Sequence, residues 1–447
     1  MPQVKPTSTP LTRGQCTRRA VLLTFCDPVP AESLQQLSQL SANDWQKLLY
    51  WLDTSGLALY FLDRMVDLQL WHTLPPAVFA RLKRNLVDNA ERTRGLIGES
   101  LSIQREFQKA GVSYALLKGF SLYPHSVPRL ELRSQLDLDF LVAEKHIPES
   151  RVILERHGYH LHAVSGRSWE FKTDHIPNAS LDDLYKNVPH RCVELHAELA
   201  LPGQRSLLAS ATSQDFHGLR MPVLSPADLF LGQGMHVFKH ICSESSRIAH
   251  LLEFRRHVIA RRGDNAFWNE IQAIAETNPR APLALGVATL LIARIMGEFA
   301  PESLTSWTVD CLPVGARLWI ERYGHRSALA DFPGTKLYLL LQRELEARGV
   351  TATRTVRRAL MPLRLPLPVA RPAVNETFQS RVRRYRLQLG FILLRLRFHV
   401  TEGGRYFLES LRWRRYMNQF TRTEASGSPS EVPLISIRNP FSPTTKE

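Results

Sequence analysis

One stretch of alternating residues, with two acids in it, constrains this chain more than any other feature. Residues 117–142 read LKGFSLYPHSVPRLELRSQLDLDFLV, with Asp137 and Asp139 two positions apart at the start of an apolar run. A β-strand sends successive side chains to opposite faces, so Leu136, Leu138, Phe140 and Val142 are expected in a core and both carboxylates on the other face. Two residues of strand separate their Cα atoms by roughly 6.6 Å, within reach of one divalent cation. A short strand is also expected at 114–117, running into Lys118, Gly119, Phe120 and Ser121. A Gly-Ser turn after a strand can offer backbone N–H groups and a hydroxyl to phosphate oxygens. Arg129 and Arg133 precede the acid pair and supply cations for a polyphosphate. A solvated strand face would explain the same acids without any chemistry.

A third acid lies downstream. In residues 191–199, RCVELHAEL, Val193, Leu195, Ala197 and Leu199 alternate with Glu194, His196 and Glu198, the pattern of a half-buried strand. Set beside the Asp137 strand, Glu194 would complete a cluster of three carboxylates, the oxygen-rich ligand set that Mg²⁺ prefers. A merely wet strand face is the competing reading.

These residues carry a resemblance. Leu116-Leu117-Lys118-Gly119, Tyr123, the run from Arg133 through Asp137-Leu138-Asp139-Phe140-Leu141-Val142, Val193-Glu194-Leu195-His196, and Leu224 to Asp228 leading into His236 and His240 are similar to the uncharacterised bacterial nucleotidyltransferase family of the polymerase-β-like superfamily. The upstream helices fit as well, one opened by Asp44-Trp45 and a long one over 76–110, so that the likeness spans about residues 40–260. It implies an α+β fold, a small mixed-sheet core surrounded by helices. It also implies transfer of an NMP group from an NTP to an unidentified acceptor. Asp137, Asp139 and Glu194 would be the catalytic and Mg²⁺-binding residues, and Lys118, Gly119, Ser121 and Arg133 would bind the nucleotide. Two alternatives remain open at this point, a catalytically silent scaffold and an RNA-directed nucleotidyltransferase.

The rest of the chain is read from composition and pattern. Five scattered cysteines with no CxxC argue against a disulfide framework or a thiolate zinc site and suit a reducing cytoplasm. The expected divisions are a loose leader (1–30), an N-terminal helical region (31–110), the nucleotidyltransferase core (111–224), a second helical region (225–361), a basic C-terminal helical segment (362–422) that starts with a proline-rich linker, and a disordered tail (423–447). Of the net charge of +15, residues 351–422 carry +13, with 16 arginines and no lysine. Arginines mixed with Phe391, Trp413 and Tyr416 suit an anionic membrane surface or nucleic acid, or else a helical cap whose arginines are simply solvated. The chain would then be cytoplasmic and peripheral to the membrane. His236 and His240 have the spacing of a zinc-protease helix, but Val237 stands where that motif needs its glutamate. Local hydrogen bonding beneath the site is expected of them, rather than metal binding.

Overall fold

The acid-bearing strand lies at the middle of a sheet, with a protein layer on either side. In the computed structural model, which describes residues 10–173, 183–188, 191–199, 205–244, 247–346, 356–361 and 377–425, seven strands form one mixed sheet. They are β1 (Tyr114–Leu116), β2 (Asp137–Ala143), β3 (His160–Ser165), β4 (Ser168–Lys172), β5 (Cys192–Glu198), β6 (Thr212–Phe216) and β7 (Leu219–Val223), in spatial order β3-β4-β5-β2-β1-β7-β6. The β2–β5 and β1–β7 pairs are parallel and the other pairs are antiparallel. This is the α+β fold with a mixed sheet that the sequence leads one to expect.

The long Pro76–Lys109 helix covers one sheet face. Its Leu96, Ile103 and Phe107 join Leu116, Phe140, Val142, Val193 and Leu195 in one core, and the Phe107 and Phe140 rings meet edge to face at 5.5 Å. Each such fully buried side chain contributes about 1.5–3 kcal/mol. On the opposite face, Ala115 and Leu141 cluster with Leu224. Alternation therefore sorts β2 as expected from Leu138 onward, whereas Leu136 precedes the strand and is 41% exposed, a correction to its expected burial.

The Ile147–Arg156 helix adds Ile147, Ile153 and Leu154 to the sheet core, and helices from the N-terminal, central and C-terminal regions share a second core. Trp45, Trp51 and Tyr60 from the N-terminal region, Phe230, Phe254, Trp268 and Trp319 from the central helices, and Tyr406 and Trp413 from the C-terminal helix all belong to it. The loose leader is corrected for residues 13–23. The Arg13–Leu23 helix starts with a Thr12–Gln15 capping box and buries Val21 and Leu22 completely, so its apolar run is core rather than a leader. Within the basic C-terminal segment the described residues form one helix, Phe378–Ala425. The expected linker at 362–372 and the tail beyond 425 lie outside the described residues.

Candidate active site

Register brings the acids together. Because β2 and β5 run parallel, Asp139 stands opposite Glu194 and Asp137 opposite Cys192. The long helix holds the approach to both strands. Asn89 donates to the carbonyls of Glu131 (2.7 Å) and Arg133 (3.2 Å) ahead of β2, and Glu99 accepts from Arg191 Nε at 3.0 Å just before β5.

One oxygen each from Asp139 and Glu194 and a ring nitrogen of His196 lie within 4.8 Å of one another. His196, rather than Asp137, completes this close set. His196 Nε2 is 3.3 Å from Glu194 Oε2 and 3.5 Å from Asp139 Oδ1. Lys118 Nζ is 3.1 Å from Asp139 Oδ1. Asp139 is only 3% exposed, so its ionised form depends on these partners. Burial alone would raise the Asp139 carboxyl, but the His196 hydrogen bond and the Lys118 charge outweigh it and hold it below the usual range. Burial and the adjacent Asp139 carboxylate push Asp137 up. The His196 hydrogen bond holds Glu194 down. Burial would lower His196, yet its bonds to Asp139 and Glu194 raise it to about 9 from 6.5.

These opposed shifts define a pH signature for the metal-free protein. The raised His196 contributes stability that is fully present below its unfolded value and is lost as pH rises through the folded one. The depressed Asp139 and Glu194 contribute stability that is lost as pH falls. In chelator-treated protein, His196→Gln should therefore cost roughly 2 kcal/mol near pH 6, allowing for screening at a partly exposed ring, with the cost shrinking as pH rises from about 6.5 and vanishing above about 9. Urea melts of both proteins across that window check it, and a gap independent of pH would remove His196 from the charge network.

The turn after β1 is closed. Gly119–Leu122 form a single helical turn in which Gly119, Phe120, Ser121 and Leu122 are all buried, and Phe120 stacks on Phe216 at 5.5 Å. Gly119 has φ +78°, and a Cβ there would lie 2.5 Å from Gln135 Nε2. That amide donates to the Asp137 carbonyl at 2.7 Å and so ties the turn to β2. Ser121 Oγ is buried without a hydrogen-bond partner among the described residues. Gly119→Val combines a left-handed backbone, which a β-branched residue resists, with a steric clash. It should cost roughly 2–4 kcal/mol, measured by denaturant melts. A variant as stable as wild type would show that the turn relaxes freely. Gln135 occupies the space above Gly119, so the substitution acts first on the fold.

Two cations reach the site from elsewhere in the chain. Arg133 Nε pairs with Glu253 Oε1 at 3.2 Å, and the same oxygen accepts from the Tyr60 hydroxyl at 2.9 Å. Arg133 feels the charges of Asp137 and Asp139. Arg247, at the start of the Ile248–Ala260 helix, is lowered by burial and by Arg133, and it feels Asp137 as well. His196 was legible as a site residue from its place two positions after Glu194. Arg247, Glu253 and Tyr60 had no such signal, because only folding brings them near β2.

Chemically, the arrangement is a cluster of acids with cations around it, a donor set suited to a divalent ion together with an anionic ligand. No curated protein matches the chain. The family model described as "Uncharacterised nucleotidyltransferase" matches residues 41–297, beyond the expected limit near residue 260 and to the end of the Arg280–Met296 helix. That span takes in all seven strands and the helices that bring Tyr60 and Glu253 to Arg133, and Arg247 into the field of Asp137, and the chain belongs to this nucleotidyltransferase family.

Proposed function

We propose that the protein transfers an NMP group from an NTP to an acceptor nucleophile, and that Asp137, Asp139 and Glu194 hold Mg²⁺ in doing so. The observation that carries this reading is the in-register opposition of Asp139 and Glu194 on central parallel strands, with Lys118 and His196 as their counter-charges. The donor set fits the ion, since carboxylate oxygens from two strands converge on a partly open position. When bound, Mg²⁺ neutralises phosphate oxygens and aligns the α-phosphorus. The chain's own residues do the rest. Lys118 leaves Asp139 to meet a phosphate oxygen, and Arg133 and Arg247 offset the triphosphate charge. The orphaned Ser121 hydroxyl, costly to bury unpartnered, is the further donor available to phosphate, and Gly119, closed off by Gln135, keeps the turn that holds it. Glu194, held ionised by His196, suits a ligand role better than a base. The acceptor oxygen forms its bond to the α-phosphorus as the bond to the bridging oxygen breaks, its proton passes to solvent or to a carboxylate, and pyrophosphate leaves.

The test is incubation of the protein with each α-labelled NTP, Mg²⁺ and a cell extract. Label should pass to a protein, an RNA or a small molecule, with pyrophosphate released. Absence of transfer with all four nucleotides would sink the reading.

The C-terminal helix offers a partner surface. Phe398, Tyr406 and Trp413 are buried along one face, and Trp413 Nε1 donates to Glu344 at 2.8 Å, so this part caps the helical core. Upstream, Leu387, Leu389, Leu393 and Leu396 are more than half exposed among arginines. That combination supports docking to an anionic membrane surface rather than a purely solvated cap. No helix among the described residues is long and apolar enough to cross a membrane. Changing Arg383, Arg384, Arg412, Arg414 and Arg415 to Gln should weaken sedimentation with phosphatidylserine vesicles roughly tenfold or more, at about 1 kcal/mol per arginine near the surface. Unchanged binding would leave the arginines as solvated surface, and salt-steep binding to RNA instead of vesicles would favour a nucleic-acid acceptor.

A further inference from the structure

Three imidazoles converge where the Pro226–Ile241 helix meets the Ile248–Ala260 helix. His236 and His240 stand one turn apart on the first helix, the spacing that places two side chains on one face. His250, in the first turn of the second helix, closes the set. The ring centroids are 4.6 Å (His236–His240), 4.8 Å (His236–His250) and 4.7 Å (His240–His250) apart. The rings are inclined at 58–68° to one another, so this is not a stack of faces. One nitrogen of each ring lies within 4.8 Å of the other two. Nitrogens around one zinc ion, at Zn–N distances of about 2.0–2.1 Å, sit roughly 3.3 Å from each other, so small side-chain movements would close the set.

A second observation also asks for a ligand. His250 is 8% exposed, and its Nδ1 has no hydrogen-bond partner among the described residues. A buried polar atom left in that state is destabilising unless something fills its coordination. Burial, with mutual repulsion added, drives His236 down to about 3 and His250 well below the ordinary histidine value. Imidazole binds metal through the lone pair of its neutral ring.

We propose that His236, His240 and His250 form a tris-imidazole site for a zinc-class divalent transition-metal ion, with a fourth position open to water or an anionic ligand. Three imidazole nitrogens select such an ion over Mg²⁺ or Ca²⁺, which take oxygen ligands. Three protein ligands with one open position is the arrangement of reactive zinc sites rather than of closed structural ones. Lys118, Arg133 and Arg247 are among the charges that bear on these histidines. Their positive field works against a loosely held dication and in favour of an anion, hydroxide or a phosphate oxygen, at the open position. The site is separate from the Asp139–Glu194–His196 set, and it stands or falls independently of the reaction proposed above.

The test uses the untagged full chain, because an oligohistidine tag would itself bind zinc. Protein purified from zinc-supplemented medium is dialysed exhaustively against metal-free buffer and its metal content measured by plasma mass spectrometry. About one zinc per chain is expected in the wild type, falling at least roughly tenfold in His236→Gln and His240→Gln. Asp139→Asn and Glu194→Gln should retain it. Cobalt added to zinc-stripped wild type should give visible ligand-field bands that both histidine variants lack. His250→Gln is a poorer probe, since a buried position can fail to fold, and circular dichroism confirms the fold of every variant compared. Wild type without zinc would overturn the proposal. So would histidine variants that keep it, or loss confined to the carboxylate variants. Loss in both sets would overturn the separation of the two sites.

Discussion

Asp137→Asn is expected to lower NTP turnover by on the order of 10³-fold while leaving the metal-free protein as stable as wild type or more so. Asp137 is half-buried, and its carboxyl is pushed up by burial and by Asp139, so the fold bears a repulsion that neutral Asn removes. Stability relinquished in this way at one acid is what a site built for an incoming cation requires. Asp139 behaves differently. It is buried and bonded to Lys118 and His196, so Asp139→Asn strips two cations of their counter-charge and should cost ~1–3 kcal/mol as well as activity. The Asp137, Asp139 double Asn variant should thus be inactive and less stable. Turnover and urea melts on the same preparations separate the two effects. Full turnover in Asp137→Asn would exclude it from the mechanism.

Glu253→Ala should be the most destabilising change near the site. Glu253 is 2% exposed and one of its oxygens serves both Arg133 and the fully buried Tyr60. Removing it strands a guanidinium and a phenol together. Breaking a buried pair from one side typically costs 3–5 kcal/mol. Arg133 would also lose the anchor that keeps it beside Asp137 and Asp139, so KM for the NTP should rise more than kcat falls. Glu253→Gln keeps an acceptor for Tyr60 and should recover part of the stability but not the placement of Arg133. Denaturant melts and steady-state kinetics check both. An Ala variant within about 1 kcal/mol of wild type would mean that water replaces the carboxylate freely.

Much of this molecule is legible in local pattern. The period-two alternation in 137–143 and 192–198 sets which side chains face the long helix, because a strand has only two faces and one of them is apolar. The Ser41–Asp44 capping box marks the start of the Ala42–Ser55 helix, since a cap is made by neighbours in sequence. Where pattern misled, a tertiary contact outweighed it. The apolar run near the N-terminus looks like a leader because a partner helix 270 residues away cannot be read locally, yet Cys26 Sγ donates to the Met296 carbonyl. The Gly119 turn looks like an open cradle because Gln135, which fills it, is distant in pattern though near in space.

The sequence by itself determined the candidates: which acids share a strand face, which strand carries Glu194 beside His196, where the charge concentrates. The tertiary structure decided the rest. It chose the parallel register that sets Asp139 opposite Glu194, where a slip of one residue would have turned β5's acids to the apolar face. It brought Tyr60 and Glu253 to Arg133, set Arg247 in the field of Asp137, and placed His250 against His236 and His240. The physical reason is one of range. Strand faces, caps and helical spacings follow from bonds within a few residues, whereas charge networks and ligand sets are assembled by packing, whose partners a linear pattern does not name.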